Sequence, residues 1–108
     1  MRRIDLRAVM TRRGRRWNLG VWSVSFPRRI DSAGSDGEMR TDGKRIRIRA
    51  DLPPREQRMT LFHEVLHVIE GAWAQSPLRL CRDREEERVE LIEAVYETAA
   101  RQVTDLWP

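Results

Sequence analysis

The chain is short of the residues that most often announce a chemistry. Its 108 residues include one cysteine, two histidines, one tyrosine and one lysine. A lone Cys81 excludes an internal disulfide and gives a reduced, cytoplasmic protein as the expectation. No apolar run approaches the roughly 20 residues that cross a bilayer. The first sixteen residues, MRRIDLRAVMTRRGRR, are basic but lack the continuous apolar stretch of a secretory signal. With 40% apolar residues the composition is that of a globular protein rather than a disordered one, and the length suits one domain with a single modest core.

Acidic residues are scarce in the first half and basic ones in the second. Residues 1–49 carry 14 Lys+Arg against 5 Asp+Glu, a net of +9, whereas residues 50–108 carry 7 against 12, a net of −5. Such asymmetry can mark a nucleic-acid-binding arm. However, 20 of the 21 basic residues are arginine, a bias that GC-rich coding gives without selection for binding.

Residues 1–16 are expected to form a basic tail or short helix, with Met10 as an alternative start that would make residues 1–9 extra sequence. Residues 17–108 make up the domain. WNLGVWSVSF, residues 17–26, alternates as a strand with Trp22, Val24 and Phe26 on one face. IDSAGSDGEMRTDG, residues 30–43, reads as an irregular loop. KRIRIRA, Lys44 to Ala50, alternates strictly, placing Ile46 and Ile48 opposite Arg45, Arg47 and Arg49. Pro53 and Pro54 open a helix that should run to Glu70, with Met59, Phe62, Leu66 and Ile69 as its apolar stripe and Gly71 as its end. A second helix should begin near Asp83, burying Val89, Ile92, Tyr96, Ala99 and Val103.

Both histidines fall in the first of these helices, in MTLFHEVLHVIE, residues 59–70. At i and i+4 they stand one above the other, close enough for two imidazoles to hold one ion. Glu64 follows the first histidine directly, on the adjacent flank, where a carboxylate can take a proton from metal-activated water. That is the mechanical content of H-E-x-x-H. The plainer reading is a pair of partly buried, hydrogen-bonded helix histidines.

A catalytic zinc needs a third protein ligand and an open position. No third histidine exists. Glu70 shares the face but stands about 10 Å from His63 along the axis. Cys81 is better read as a small buried thiol. The remaining candidates lie in REEERVELIE. Glu85 and Glu86 precede Val89 by four and three residues, and both can border the buried stripe. Glu87 points away, and Glu90 and Glu93 read as solvated charges. The residues alone leave Glu85 and Glu86 open.

The order of KRIRIRA, DLPPREQRMTLFHEVLHVIE, a loop and an acidic helix resembles the ImmA/IrrE-like metallopeptidases over roughly residues 17–103. Members of that family carry a strand, a "tllHEllHa" helix and a later helix. In that later helix a glutamate is followed by apolar pairs six and seven, then ten and eleven, residues on. Counted from Glu85 these positions hold Leu91, Ile92, Val95 and Tyr96, whereas counting from Glu86 puts Glu93 in an apolar slot. The chain departs from the pattern with Arg88 and Val89 where a small residue is expected.

The resemblance implies an α+β, zincin-like domain: a short antiparallel or mixed sheet packed on the HExxH helix and a C-terminal ligand-bearing helix. It implies a Zn²⁺ peptidase with His63, His67 and Glu85 as ligands and Glu64 as general base, acting on a protein or peptide in a phage or mobile-element setting. Strand Lys44–Ala50 is expected beside the cleft, with its edge open to an extended substrate. No oxyanion donor stands out, since Tyr96 lies about 16 Å beyond Glu85 along the helix and reads as core. Two other classes compete: a catalytically silent metal-binding interaction protein, and a basic nucleic-acid-binding module.

Overall fold

The computed structural model describes residues 2–30, 35–80 and 84–107. In chain order the strands are β1 (Arg2–Asp5), β2 (Val9–Met10), β3 (Arg16–Trp17), β4 (Val21–Ser25), β5 (Gly37–Arg40) and β6 (Arg45–Ile48). Helix α1 (Pro54–Ala74), a 3₁₀ turn at Pro77–Leu80, α2 (Arg84–Ala100) and a short α3 (Val103–Leu106) follow. The architecture is α+β, and no described helix is long and apolar enough to cross a membrane.

Alternation in the strands builds one mixed sheet in the order β1-β4-β6-β5. β4 runs antiparallel to β1 and parallel to β6, and β5 is antiparallel to β6. The register sets Ile4 opposite Trp22 and aligns Val24, Ile46 and Met39 in one row. With Ile48 these residues form the inner face, where Ile4, Ile46 and Ile48 are fully buried. The opposite face carries a row of Arg3, Ser23, Arg45 and Arg40. KRIRIRA is thus the half-buried strand its alternation indicated.

The N-terminal stretch is part of the fold and not a tail. β1 pairs along β4, and Ile4, Leu6 and Val9 are fully buried. Gln102, just after α2, closes the free edge of β1: its Oε1 accepts from the Asp5 backbone N–H at 2.8 Å and its Nε2 donates to the Asp5 carbonyl at 2.9 Å. The β2–β3 hairpin is clamped to α2 by Arg13, which pairs with Glu86, Glu87 and Glu90. The arginines around three isolated apolar residues hid this, because local hydropathy cannot register a contact made with residue 102.

Three other expectations shift. The 17–26 strand breaks at Gly20, whose φ of 89° turns the chain, so Trp17 joins the hairpin while Trp22 and Val24 enter the sheet. The 30–43 loop contains β5, made a strand by pairing with β6 across the Thr41–Lys44 turn, where Gly43 and Lys44 adopt φ of 74° and 47°. Gly71 does not end α1, which continues to Ala74 and buries Trp73 against Trp17 with ring centroids 6.2 Å apart. A helical glycine costs about 1 kcal/mol, less than the roughly 1.5–3 kcal/mol gained by burying a large apolar side chain.

Both helices bury faces turned from those expected, although Ile69 and Ala99 are buried as expected and Phe62, Ile92 and Tyr96 pack partly buried against the core. In α1 the buried residues are Gln57, Thr60, Leu61, Glu64, Val65, Val68, Ile69 and Trp73, while Met59 is 63% exposed. The buried face is thus turned about a third of a revolution from the Met59–Phe62–Leu66–Ile69 stripe, at about 100° per residue. In α2, Leu91, Ala94, Val95 and Ala99 are buried and Val89 is half exposed. The expected start at Asp83 lies outside the described residues.

If the first strand is structural, Ile4→Ala should lower stability by about 2–4 kcal/mol, the usual cost of emptying a fully buried aliphatic site. Urea denaturation followed by circular dichroism measures this. An unchanged midpoint would show that β1 is dispensable.

Candidate metal centre

The setting of α1 decides what its motif can do. His63 and His67 lie on the exposed side of the helix, whereas Glu64, one residue on, is only 5% exposed. The two Nε2 atoms face each other at 3.3 Å, and the rings stand nearly perpendicular, at 81° with centroids 4.9 Å apart. Two nitrogens that bind one zinc at about 2.0–2.1 Å with a tetrahedral angle are themselves about 3.3 Å apart. That spacing suits a shared ion and equally a hydrogen bond between the two rings, the plainer reading, although neither histidine is buried. His63, Glu64 and His67 form a group whose ligand atoms all lie within 4.8 Å of one another and which could hold a metal ion.

Glu64 is buried because β5 closes over it. Gly37 makes that approach possible: a Cβ there would stand 2.5 Å from Thr60 Cγ2, 2.9 Å from the Arg47 carbonyl and 3.5 Å from Glu64 Cγ. Glycine at 37 admits the edge strand to backbone distance of its neighbours. Burial pushes the Glu64 carboxyl above the usual carboxylate range. His67 and then His63 pull it back down, and Glu38 on β5 adds to the rise.

Glu85, the expected third ligand, is not brought to this group. The Arg88–Glu70 ion pair and the Tyr96 hydroxyl, which donates to the Phe62 carbonyl at 3.4 Å, make α2 antiparallel to α1. In that alignment Glu85 is level with Trp73, about 9 Å beyond His67 along the axis. Its side chain is 75% exposed, 3.9 Å from Arg88. Glu86 is 67% exposed and pairs with Arg13. Glu87, expected to point away, is buried against Arg13 and Arg15, and Glu90 also meets Arg13. Glu93 pairs with Arg12. Cys81 lies outside the described residues.

Neither Tyr96 nor the nearby Arg88 stands free to act as an oxyanion donor. Arg88 is engaged by Glu70, and Tyr96 packs edge-on against Phe62 with centroids 5.5 Å apart. Burial, and behind it Glu70, raises the Tyr96 hydroxyl above its usual value.

Beside His63 opens a cleft of about 510 Å³, lined on one wall by Ser35, Asp36 and Gly37 at the start of β5 and on the other by Glu56, Met59, Thr60, His63 and Glu64. The sequence reading missed this wall. Gly37 and the residues before it carry no local signal, because their proximity to α1 exists only in the assembled sheet.

The raised Glu64 carboxyl gives a signed expectation for the metal-free protein. Its unfolded reference is 4.5, and its folded value is higher. Ionisation is then disfavoured by folding, so this group's contribution to stability declines as pH rises from about 4.5 through the folded value. Glu64→Gln lacks that decline. Its melting temperature should match the parent at pH 4 and exceed it at pH 7, both measured in chelator. A constant difference across that range would show that Glu64 is not the cause.

Comparison of the chain with family profiles, with curated proteins and with solved structures gives no match, so the reading of this site rests on its own geometry.

Proposed function

We propose that this chain is a zinc-dependent peptidase in which His63 and His67 hold the ion and Glu64 is the general base. The observation that carries the proposal is the 3.3 Å separation of the two Nε2 atoms beside a buried carboxylate. Two imidazoles are a donor set that suits zinc. Zinc held there supplies Lewis acidity towards a carbonyl and towards water. The remaining work falls to the protein. Glu64 accepts the proton of the attacking water and delivers it to the leaving amine. Burial makes it more basic than a solvated carboxylate, which suits that role.

An extended peptide would pair with β5 and not with Lys44–Ala50. β6 is enclosed between β4 and β5, so the edge expected there is occupied. β5 is the sheet's terminal strand on the α1 side, and Gly37 at its start lines the cleft with His63. Among the described residues no further strand lies beyond β5, and such additions are made at a terminal strand.

Two observations bear on the competing readings. A silent metal-binding protein would use Glu64 only as a ligand beside the two histidines, whereas a peptidase uses the same buried carboxylate as a base. A nucleic-acid module would draw on the basic half, in which Arg12, Arg13 and Arg15 pair with the glutamates of α2 while Arg3, Arg45 and Arg40 line the outer face of the sheet.

The purified chain should carry one zinc, and His63→Ala or His67→Ala should lose it. Glu64→Gln should keep the metal while peptide hydrolysis falls by about a hundredfold or more. Absence of bound metal, with a melting temperature indifferent to chelator, would sink the proposal.

Apart from Glu64, no described carboxylate, cysteine or histidine joins the two histidines as the third protein ligand that a catalytic zinc needs, and Glu85 enters that place through the sequence resemblance alone. In the arrangement described, Glu85→Ala should change zinc affinity by no more than about twofold, as expected for a solvated carboxylate. Titration against a chromophoric chelator measures it. A much larger loss would mean that the first turn of α2 swings to the histidines when metal binds.

A further inference from the structure

We propose that the cleft beside His63 is a subsite for a long basic side chain, lysine or arginine, of the substrate. This deepens the peptidase reading and rests on it. The argument starts from the order of residues along one ridge of α1: Glu56, then Met59, then His63. Seven residues separate Glu56 from His63, about 10 Å along the axis. An extended lysine or arginine bound at the histidines spans most of that distance, and the reach of the Glu56 carboxylate supplies the rest. Met59 lies between them and is 63% exposed, an apolar surface where the methylene stem would rest.

Charge points the same way. In a protein with 21 Lys+Arg and a net charge of +4, the described lining of this cleft contains three carboxylates, Asp36, Glu56 and Glu64, and no lysine or arginine. Asp36 is partly offset by Arg49 at 3.4 Å. Glu56, in the first turn of α1 where the helix dipole favours its charge, makes no ion pair among the described residues. Glu64 closes the inner end of the cleft, where it is 5% exposed and lies within 4.8 Å of the ligand atoms of both histidines, so the carboxylate left for a substrate charge is Glu56. An acidic or purely apolar side chain would leave Glu56 uncompensated.

The test is binding, so it does not depend on hydrolysis. The full chain, with and without Zn²⁺, is titrated with Nα-acetyl-lysine amide and with Nα-acetyl-norleucine amide, which has the same stem without the charge. NMR shifts of His63, Thr60 and Gly37 report occupancy. The lysine derivative should bind about three- to fivefold more tightly, the scale of one exposed ion pair. Glu56→Gln should abolish that preference, and Met59→Ser should weaken both ligands. Equal binding of the two, a preference that survives Glu56→Gln, or no shifts with either probe would overturn the subsite. Peptide hydrolysis is scored separately. A chain that prefers lysine but cleaves nothing keeps the subsite and loses the peptidase reading, whereas cleavage with no basic preference does the reverse.

Discussion

The packing of α1 against the sheet is the constraint on which the site depends. Leu61, Val65, Val68 and Ile69 meet an inner face made by Ile4, Trp22, Val24, Ile46 and Ile48. A close-packed interface of this kind leaves the helix little rotational freedom. Its angular setting sends Glu64 inwards and leaves His63 and His67 outside. Had the helix rested on Met59, Phe62 and Leu66, the same five letters HEVLH would place Glu64 in open water. Its chemistry would then be that of an ordinary surface carboxylate.

Burial of Glu64 has a thermodynamic cost that the fold carries without a hydrogen-bond partner for it among the described residues. Groups of that kind concentrate where charge is used. Here the cost is linked to the edge strand, because β5 closes over Glu64 only through the glycine at 37. Strand β5, Gly37 and the catalytic candidate thus form one packing unit, and the cleft is the space they leave beside the histidines.

Charge in the rest of the molecule is largely internal architecture. The basic first half and acidic second half meet where the β2–β3 hairpin lies on α2, with Arg12, Arg13 and Arg15 spread over Glu86, Glu87, Glu90 and Glu93. Exposed pairs of this type contribute little each. As a group they orient the hairpin, and they explain why the acidic helix is not a reserve of free ligands. The glutamates nearest in pattern to a metal ligand are committed elsewhere or point to solvent.

The sequence by itself determined what short-range periodicity can encode. The Ile46/Ile48 alternation, the proline-led start of α1 and the i, i+4 stacking of His63 on His67 all follow from local geometry, while the α+β class came with the resemblance. The tertiary structure decided what depends on partners distant in the chain. The burial of Ile4, Leu6 and Val9, the strand at 37–40 and the displacement of Glu85 from the histidines each rest on such contacts. So does the angular setting of α1. That helix is apolar at 59, 61, 62, 65, 66, 68 and 69, so several stripes satisfy its periodicity equally well. Only the sheet it packs on selects among them, and with that selection Glu64 becomes a buried base.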